Sequence, residues 1–371
     1  MVVKTDAIPY LTRVETLPTS AARAAEIFTR NGTTWLAVAQ MSRDVPGEAP
    51  YMNGGDSNVD ALLFRRDQNA FVLAETLPLS GGEDVEHFVL NGREFLACVG
   101  IRTGSGPYDL NTEAVLYERR GNTWAEHQRF EVFAGKQWRY FEIEGRHFLA
   151  LAQGVTVEGV VARHPSQSCV FEWDGERFQP FQVTGGAWGY NWTHFEHAGE
   201  HYLAYADHVS GSRIFHWRDG RFVTWQIFDE PGGRAFHTFE ADGARWLVYA
   251  NLLRHTSLYR FDDTQFVHVQ TLHDAGGREL CEIAGVQGTQ TRYLLLVCFI
   301  TGTPQQPDPV QRSKLLRWRA DGFECVEEID TSGATDAAVF DEAGQRYVVV
   351  TNSLSPEMCF RIDSVVYRFN G

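Results

Sequence analysis

The chain has 371 residues, 13 % of them aromatic and 34 of them glycine, with 48 acidic against 33 basic side chains and a formal charge of −15. That balance disfavours a general nucleic-acid binder, which needs a basic face to neutralise phosphates, and it repels anionic membrane surfaces. With 43 % apolar and 22 % charged residues the composition is that of a globular chain, and no apolar run reaches membrane-spanning length.

The N-terminal MVVKTDAIPYL has no long apolar core and no small-residue cleavage site, so no signal peptide is expected and a cytoplasmic location follows. The first strand signal is Tyr10–Pro18, whose ending matches Glu75-Thr76-Leu77-Pro78. From residue 21 onward one four-strand phrase recurs, at about 21–80, 81–133, 134–184, 185–230, 231–274, 275–330 and 331–371. Its first strand centres on Phe28, Phe88, Phe141, Phe195, Phe239, Ile283 and Phe340. The second reads WLAVAQ, FLACVG, FLALAQ, YLAYAD, WLVYAN, YLLLVC and YVVVTN. The third runs into a turn, as in FEWDGERF and FHWRDGRF, and the fourth follows, as in FVTWQIF and FVHVQTL. The seventh copy ends at Gly371 without a fourth strand, and residues 8–19 supply it. The spacing predicts an all-β fold: one seven-bladed β-propeller of four-stranded antiparallel blades over 1–371, closed by the N-terminal strand pairing in the last blade, which removes exposed sheet edges.

Six cysteines, at positions 98, 169, 281, 298, 325 and 359, include no C-x-x-C pair. Several sit in apolar strand patterns such as Leu96-Ala97-Cys98-Val99, so buried free thiols are expected rather than a metal ribbon or disulfides.

The repeat, F-x-x-x-G-x-x-[FYW]-L-A followed by W-x-x-G-x-F and an aromatic–Gln strand, is clearest from Phe141 to Gln182, Phe195 to Gln226 and Phe239 to Gln270. It resembles the EPTP repeat, also called the epitempin or epilepsy-associated (EAR) repeat. The resemblance implies a seven-bladed propeller and a role in protein–protein recognition rather than catalysis. The matching positions are packing residues, so the resemblance assigns no binding residue.

Antiparallel order places the loops between second and third strands on the same face as the links between blades, so 41–58, 101–113, 154–168 and 300–312 gather on one rim, where function concentrates. The inner strands open onto that rim. Two residues before each central residue stand Glu26, Glu86, Arg139, Thr193, His237, Cys281 and Ala338; four before stand Ala24, Asp84, Gln137, Asn191, Ala235, Glu279 and Asp336. Three before, the residues are apolar, including Trp138 and Trp192. Period-two alternation assigns the apolar set to the blade interfaces and the polar set to the channel mouth. The second-strand ends Gln40, Gln153, Asp207, Asn251 and Asn352 are expected beside it.

Several chemistries fit this ring. Glu26, Asp84 and Glu86 offer oxygen ligands for a divalent cation, Ca or Mg, or an acid/base pair; with Arg139 they equally form a plain ion-pair network. His237 and Cys281 fit an activated thiolate or an ordinary histidine beside a buried cysteine. Trp188, Tyr190, Tyr51 and Tyr108 are candidates for an aromatic wall. Asp56-Ser57-Asn58-Val59-Asp60 begins like a calcium loop but lacks its glycine, and His194, Glu196, His197 and His201 lack metalloprotease spacing. No P-loop, dinucleotide fingerprint or serine-hydrolase elbow is present, so no nucleotide cofactor is expected. Two functions remain: a recognition module using the long-loop face and channel mouth for a protein or small-molecule ligand, or an enzyme (isomerase, cyclase, lyase or hydrolase) whose acid/base residues are among Glu26, Glu86, Arg139, His237 and Cys281. For recognition, Asp84, Gln137, Trp188, Tyr190, Asn191, Asp207, Asn251, Asp336 and Asn352 are the candidate contacts.

Overall fold

Seven four-stranded antiparallel sheets form a ring in the computed structural model, which describes residues 8–285 and 291–371. The innermost strands of blades one to seven are Ala22–Arg30, Gly82–Leu90, Gln137–Ile143, Gly189–His197, Gly233–Ala241, Gly277–Ala284 and Ala334–Glu342. In blade seven the N-terminal strand Leu11–Leu17 pairs with Ser364–Phe369 as the outermost strand, Thr16 opposite Val365, as the sequence predicts. The ends meet at the seam: Asn370 N–H donates to the Tyr10 carbonyl at 2.8 Å. Arg66 of blade one then clamps the closure, with Nη1 2.7 Å from Glu15 of the N-terminal strand and Nη2 2.9 Å from Glu342 of blade seven.

Each blade packs its neighbour through clusters that span the seam, such as Ala37, Ala39, Leu63 and Leu77 of blade one against Val85, Leu96 and Cys98 of blade two. Aromatic rings of neighbouring innermost strands also stack across the seams: Phe141 of blade three lies nearly parallel to His194 of blade four at 4.9 Å. The glutamine of the aromatic–Gln strand has a structural task. Gln128, Gln182, Gln226 and Gln270 each accept from the backbone N–H and donate to the backbone carbonyl of the first aromatic in the next blade's outermost strand: Phe178, Phe222, Phe266 and Phe323. At two other seams a glutamate takes the N–H alone, Glu15 from Phe71 and Glu327 from Leu11.

The rim gathers the loops between second and third strands. The links between blades bind them by backbone hydrogen bonds: Gly81 N–H donates to Ser57 and its carbonyl accepts from Ile101. Gly81 has φ +57, and a Cβ there would stand 2.2 Å from the Arg102 carbonyl oxygen, so only glycine fits. Two features of the rim depart from the sequence reading. Loop 300–312 folds its own hairpin, Thr301–Thr303 against Gln306–Asp308, and blade seven adds a further long loop, 353–363. Among the cysteines, Cys98, Cys281 and Cys298 are buried and Cys325 is exposed; all six are free thiols.

Candidate functional site in the channel mouth

The innermost strand of a propeller blade has a free edge, and its backbone donors need partners. The polar residues singled out at two and four positions before the central residue supply them. Asp84 accepts from Trp138 N–H at 2.8 Å, Gln137 from Trp192 N–H at 2.6 Å and Asp336 from Ala25 N–H at 2.8 Å. One turn of the pleat further down, Glu86 accepts from Tyr140 N–H at 2.9 Å and Glu26 from His87 N–H at 3.4 Å. Thr193 donates to the Phe236 carbonyl and Arg139 to the Trp192 carbonyl. Each side chain therefore bridges to the next blade while still bordering the channel.

Glu86 and Arg139 form an ion pair at 3.2 Å, the arginine side chain being 39 % exposed. Burial pushes the neighbouring carboxyls upward, and nearby carboxylates add to this for Asp84, Glu26 and Glu279. Asp84 and Glu26 stand well above the ordinary range, Glu279 reaches about 8 and Asp336 about 6. Glu26, Asp84 and Glu86 line one cavity. Among the described residues no three His, Cys, Asp or Glu side chains gather in a metal-holding arrangement.

His237 lines a second hollow of about 450 Å³ lower in the channel, with Arg139, Asn191, Thr193 and Glu279. Its Nε2 lies 3.0 Å from Glu282, which Arg292 also grips. Cys281 Sγ points instead to the Glu282 carbonyl at 3.9 Å, and burial pushes its thiol pKa upward. The structure thus pairs His237 with a carboxylate, not with Cys281.

The second-strand ends do not line the cavity. Asp207 takes the backbone N–H groups of Ala187, Trp188, Val209 and Ser210, together with the Tyr205 hydroxyl. Asn251 holds Leu253, Arg254 and Pro231, and Asn352 donates to the Asp363 carbonyl. These side chains tie loops to links. The aromatic wall also divides. Trp188 and Tyr190 stack at 6.3 Å, whereas Tyr108 sits under Arg102 and Tyr51 stands exposed on the blade-one loop. Asp56 makes an Asx turn with Asn58 and pairs with Arg43.

What strict alternation hid is the outermost ring. At its start the inner pair slips register, between Ala22 and Ala24, Gly82 and Asp84, and likewise in four further blades. The extra residue turns its side chain into the channel. These residues, five before the centre, are Arg23, Glu83, Tyr190, Arg234, Arg278 and Thr335, and Lys136 stands at the same place in blade three. They and the carboxyls beneath them enclose a cavity of about 220 Å³. Glu83, 3 % exposed, lies 3.2 Å from Lys136, 3.7 Å from Arg23 and 3.8 Å from Arg278. Burial alone would raise its carboxyl; the three cations more than reverse this and hold it below the ordinary value. Arg234 lies over the Tyr190 ring at 3.7 Å and donates to His208 Nδ1.

Among known proteins, the EPTP domain family matches residues 177–218, from the outermost strand of blade three to the third strand of blade four. The thrombospondin-type laminin G domain and EAR repeat-containing protein of Mus musculus is 22 % identical over 156 residues, and that of Homo sapiens 19 % over 155. Each match covers 41 % of this chain and 22 % of the relative. A chain of the crystal structure of BBS1N in complex with ARL6DN, soaked with mercury, superposes with a TM-score of 0.57 over 97 % of both chains at 8 % identity, which is likeness of fold alone. The resemblance to the EPTP and EAR repeats, read from the packing residues, is borne out.

Proposed function

We propose that this propeller of EPTP-type repeats is a recognition module whose long-loop face receives a protein partner. The observation that carries the reading is the state of the channel's acid and base candidates. Asp84, Glu86, Glu26, Gln137 and Asp336 all hold the backbone of the next blade, and His237 is held by Glu282. A general base must be free to take a proton from a substrate, and these groups are engaged in holding the ring together. The loop face carries the complementary signal. Val157 and Val161 of the blade-three loop, Val209 of blade four and Leu253 of blade five stand exposed on consecutive blades. Exposed aliphatics clustered on loops of a rigid scaffold are what a protein contact buries. The kinship with EAR repeat-containing proteins, at 22 % identity over part of the chain, points the same way.

The test is capture by cross-linking from the source cell, comparing the wild-type chain with a Val161→Asp, Val209→Asp, Leu253→Asp variant and with a Val72→Asp variant on an outer strand. The expected outcome is a partner held by wild type and Val72→Asp and lost from the triple variant. Equal capture by all three overturns the reading.

A further inference from the structure

We propose that the channel mouth binds one small anion, a carboxylate or a phosphate group, received by Arg23, Lys136, Arg234 and Arg278 beside the Tyr190 hydroxyl. The inference stands apart from the protein partner, since it concerns the cavity and not the loop tips.

The first ground is charge. Four cations and one carboxylate, Glu83, stand in the outermost ring of this cavity, in a chain whose net charge is −15, while Arg139 and the carboxyls Glu26, Asp84, Glu86, Glu279 and Asp336 line it more deeply. Among the described residues no other carboxylate comes within ion-pair distance of any of the four, and Arg234 has none at all. Of the carboxyls beneath, Asp84 and Asp336 accept from backbone donors, and burial pushes Glu279 up to about 8, so that it carries reduced charge near neutrality. Glu279 is therefore a poor counter-ion for the cations above it.

The second ground is burial without partners. The Arg23 side chain is 9 % exposed and Arg234 is 5 % exposed, and Nε of each lacks a hydrogen-bond partner among the described residues. Burying a cation is costly unless an opposite charge and acceptor oxygens meet it. Burial lowers both guanidinium pKa values to about 10, so the folded chain already destabilises the charges it gathers there. Tyr190 registers the same field: burial alone would raise its phenol, yet Arg234, Lys136 and Arg278 bring it below its ordinary value. A carboxylate or phosphate can accept from guanidinium, ammonium and phenol together, with charge-assisted bonds stronger than water provides.

Glu83 sits where such an anion would find Arg23, Lys136 and Arg278, so it competes with the ligand. Removing its charge should therefore tighten binding, a result that a purely structural ring would not give.

The experiment titrates the purified full chain with inorganic phosphate and with succinate at constant ionic strength. Calorimetry and the fluorescence of Trp188, which stacks on Tyr190, are the readouts. Expected are saturable binding of at least one probe at one site per chain, affinity lower by about tenfold or more in Arg234→Gln and Arg278→Gln, and higher affinity in Glu83→Gln, with charge-assisted contacts setting the scale. Arg129→Gln, on an exposed outer strand, should bind as wild type. Whichever probe binds identifies the group. The proposal is overturned if neither probe binds above chloride, or if folded Arg234→Gln and Arg278→Gln bind as wild type. Should either variant fail to fold, Lys136→Gln carries the same expectation.

Discussion

Asp84 shows how a residue can be placed correctly by its spacing and still have an unforeseen task. Its parity puts it beside the channel, where it was a candidate ligand; in the ring it accepts the Trp138 N–H. Sequence gives the side of the strand, but the free backbone edge that needs an acceptor exists only once two blades stand side by side. Among the described residues Glu279 has no such bridge and accepts only from Leu280 N–H of its own strand, and its carboxyl reaches about 8. A raised carboxyl pKa means that the folded state binds the proton more tightly than the unfolded chain. Its contribution to stability is complete below the ordinary value near 4.5 and is lost as pH rises toward 8. Glu279→Gln should flatten the decline in stability between pH 5 and 8, measured by denaturant titration at several pH values. An unchanged pH slope would show that Glu279 is not held protonated.

At the scale of the strand, the aromatic–Gln signature becomes a seam bond. The amide suits it because one group both donates and accepts, so Gln226 closes both backbone positions of Phe266. Gln226→Ala should cost about 2 kcal/mol in denaturant titration, from two hydrogen bonds at roughly 1 kcal/mol each. Gln226→Glu should lose less, since it keeps the acceptor as Glu15 and Glu327 do; a Gln226→Ala variant as stable as wild type would remove the seam role. The bulge at the start of six of the seven inner strands belongs to this scale too. It is a departure from alternation, and a reading that relies on alternation assigns Arg23, Arg234 and Arg278 to the wrong side.

For the whole molecule the decisive contact is closure. Strand Leu11–Leu17 supplies the outer edge of blade seven, and Glu15 brings Arg66 and Phe71 of blade one to it. Removing residues 1–18 should open the seam, leave Arg66 with Glu342 alone and expose the edge of Ser364–Phe369. The expected result is a lower, broader thermal transition and concentration-dependent association in size-exclusion chromatography; a monomer melting as wild type would show that the ring closes without this strand.

The amino-acid sequence by itself determined the blade number, the four-strand phrase, the closing strand and the face that gathers the long loops. All of these follow from periodicity and from turn residues, which act within a few positions of the chain. Only the tertiary structure decided the task of each polar side chain. Whether a carboxylate faces a ligand or an unpaired N–H depends on a strand some fifty residues away, as Asp84 and Trp138 show. The cationic mouth likewise required the register slip to be seen, because a bulge is a property of two paired strands and leaves no period in either one alone.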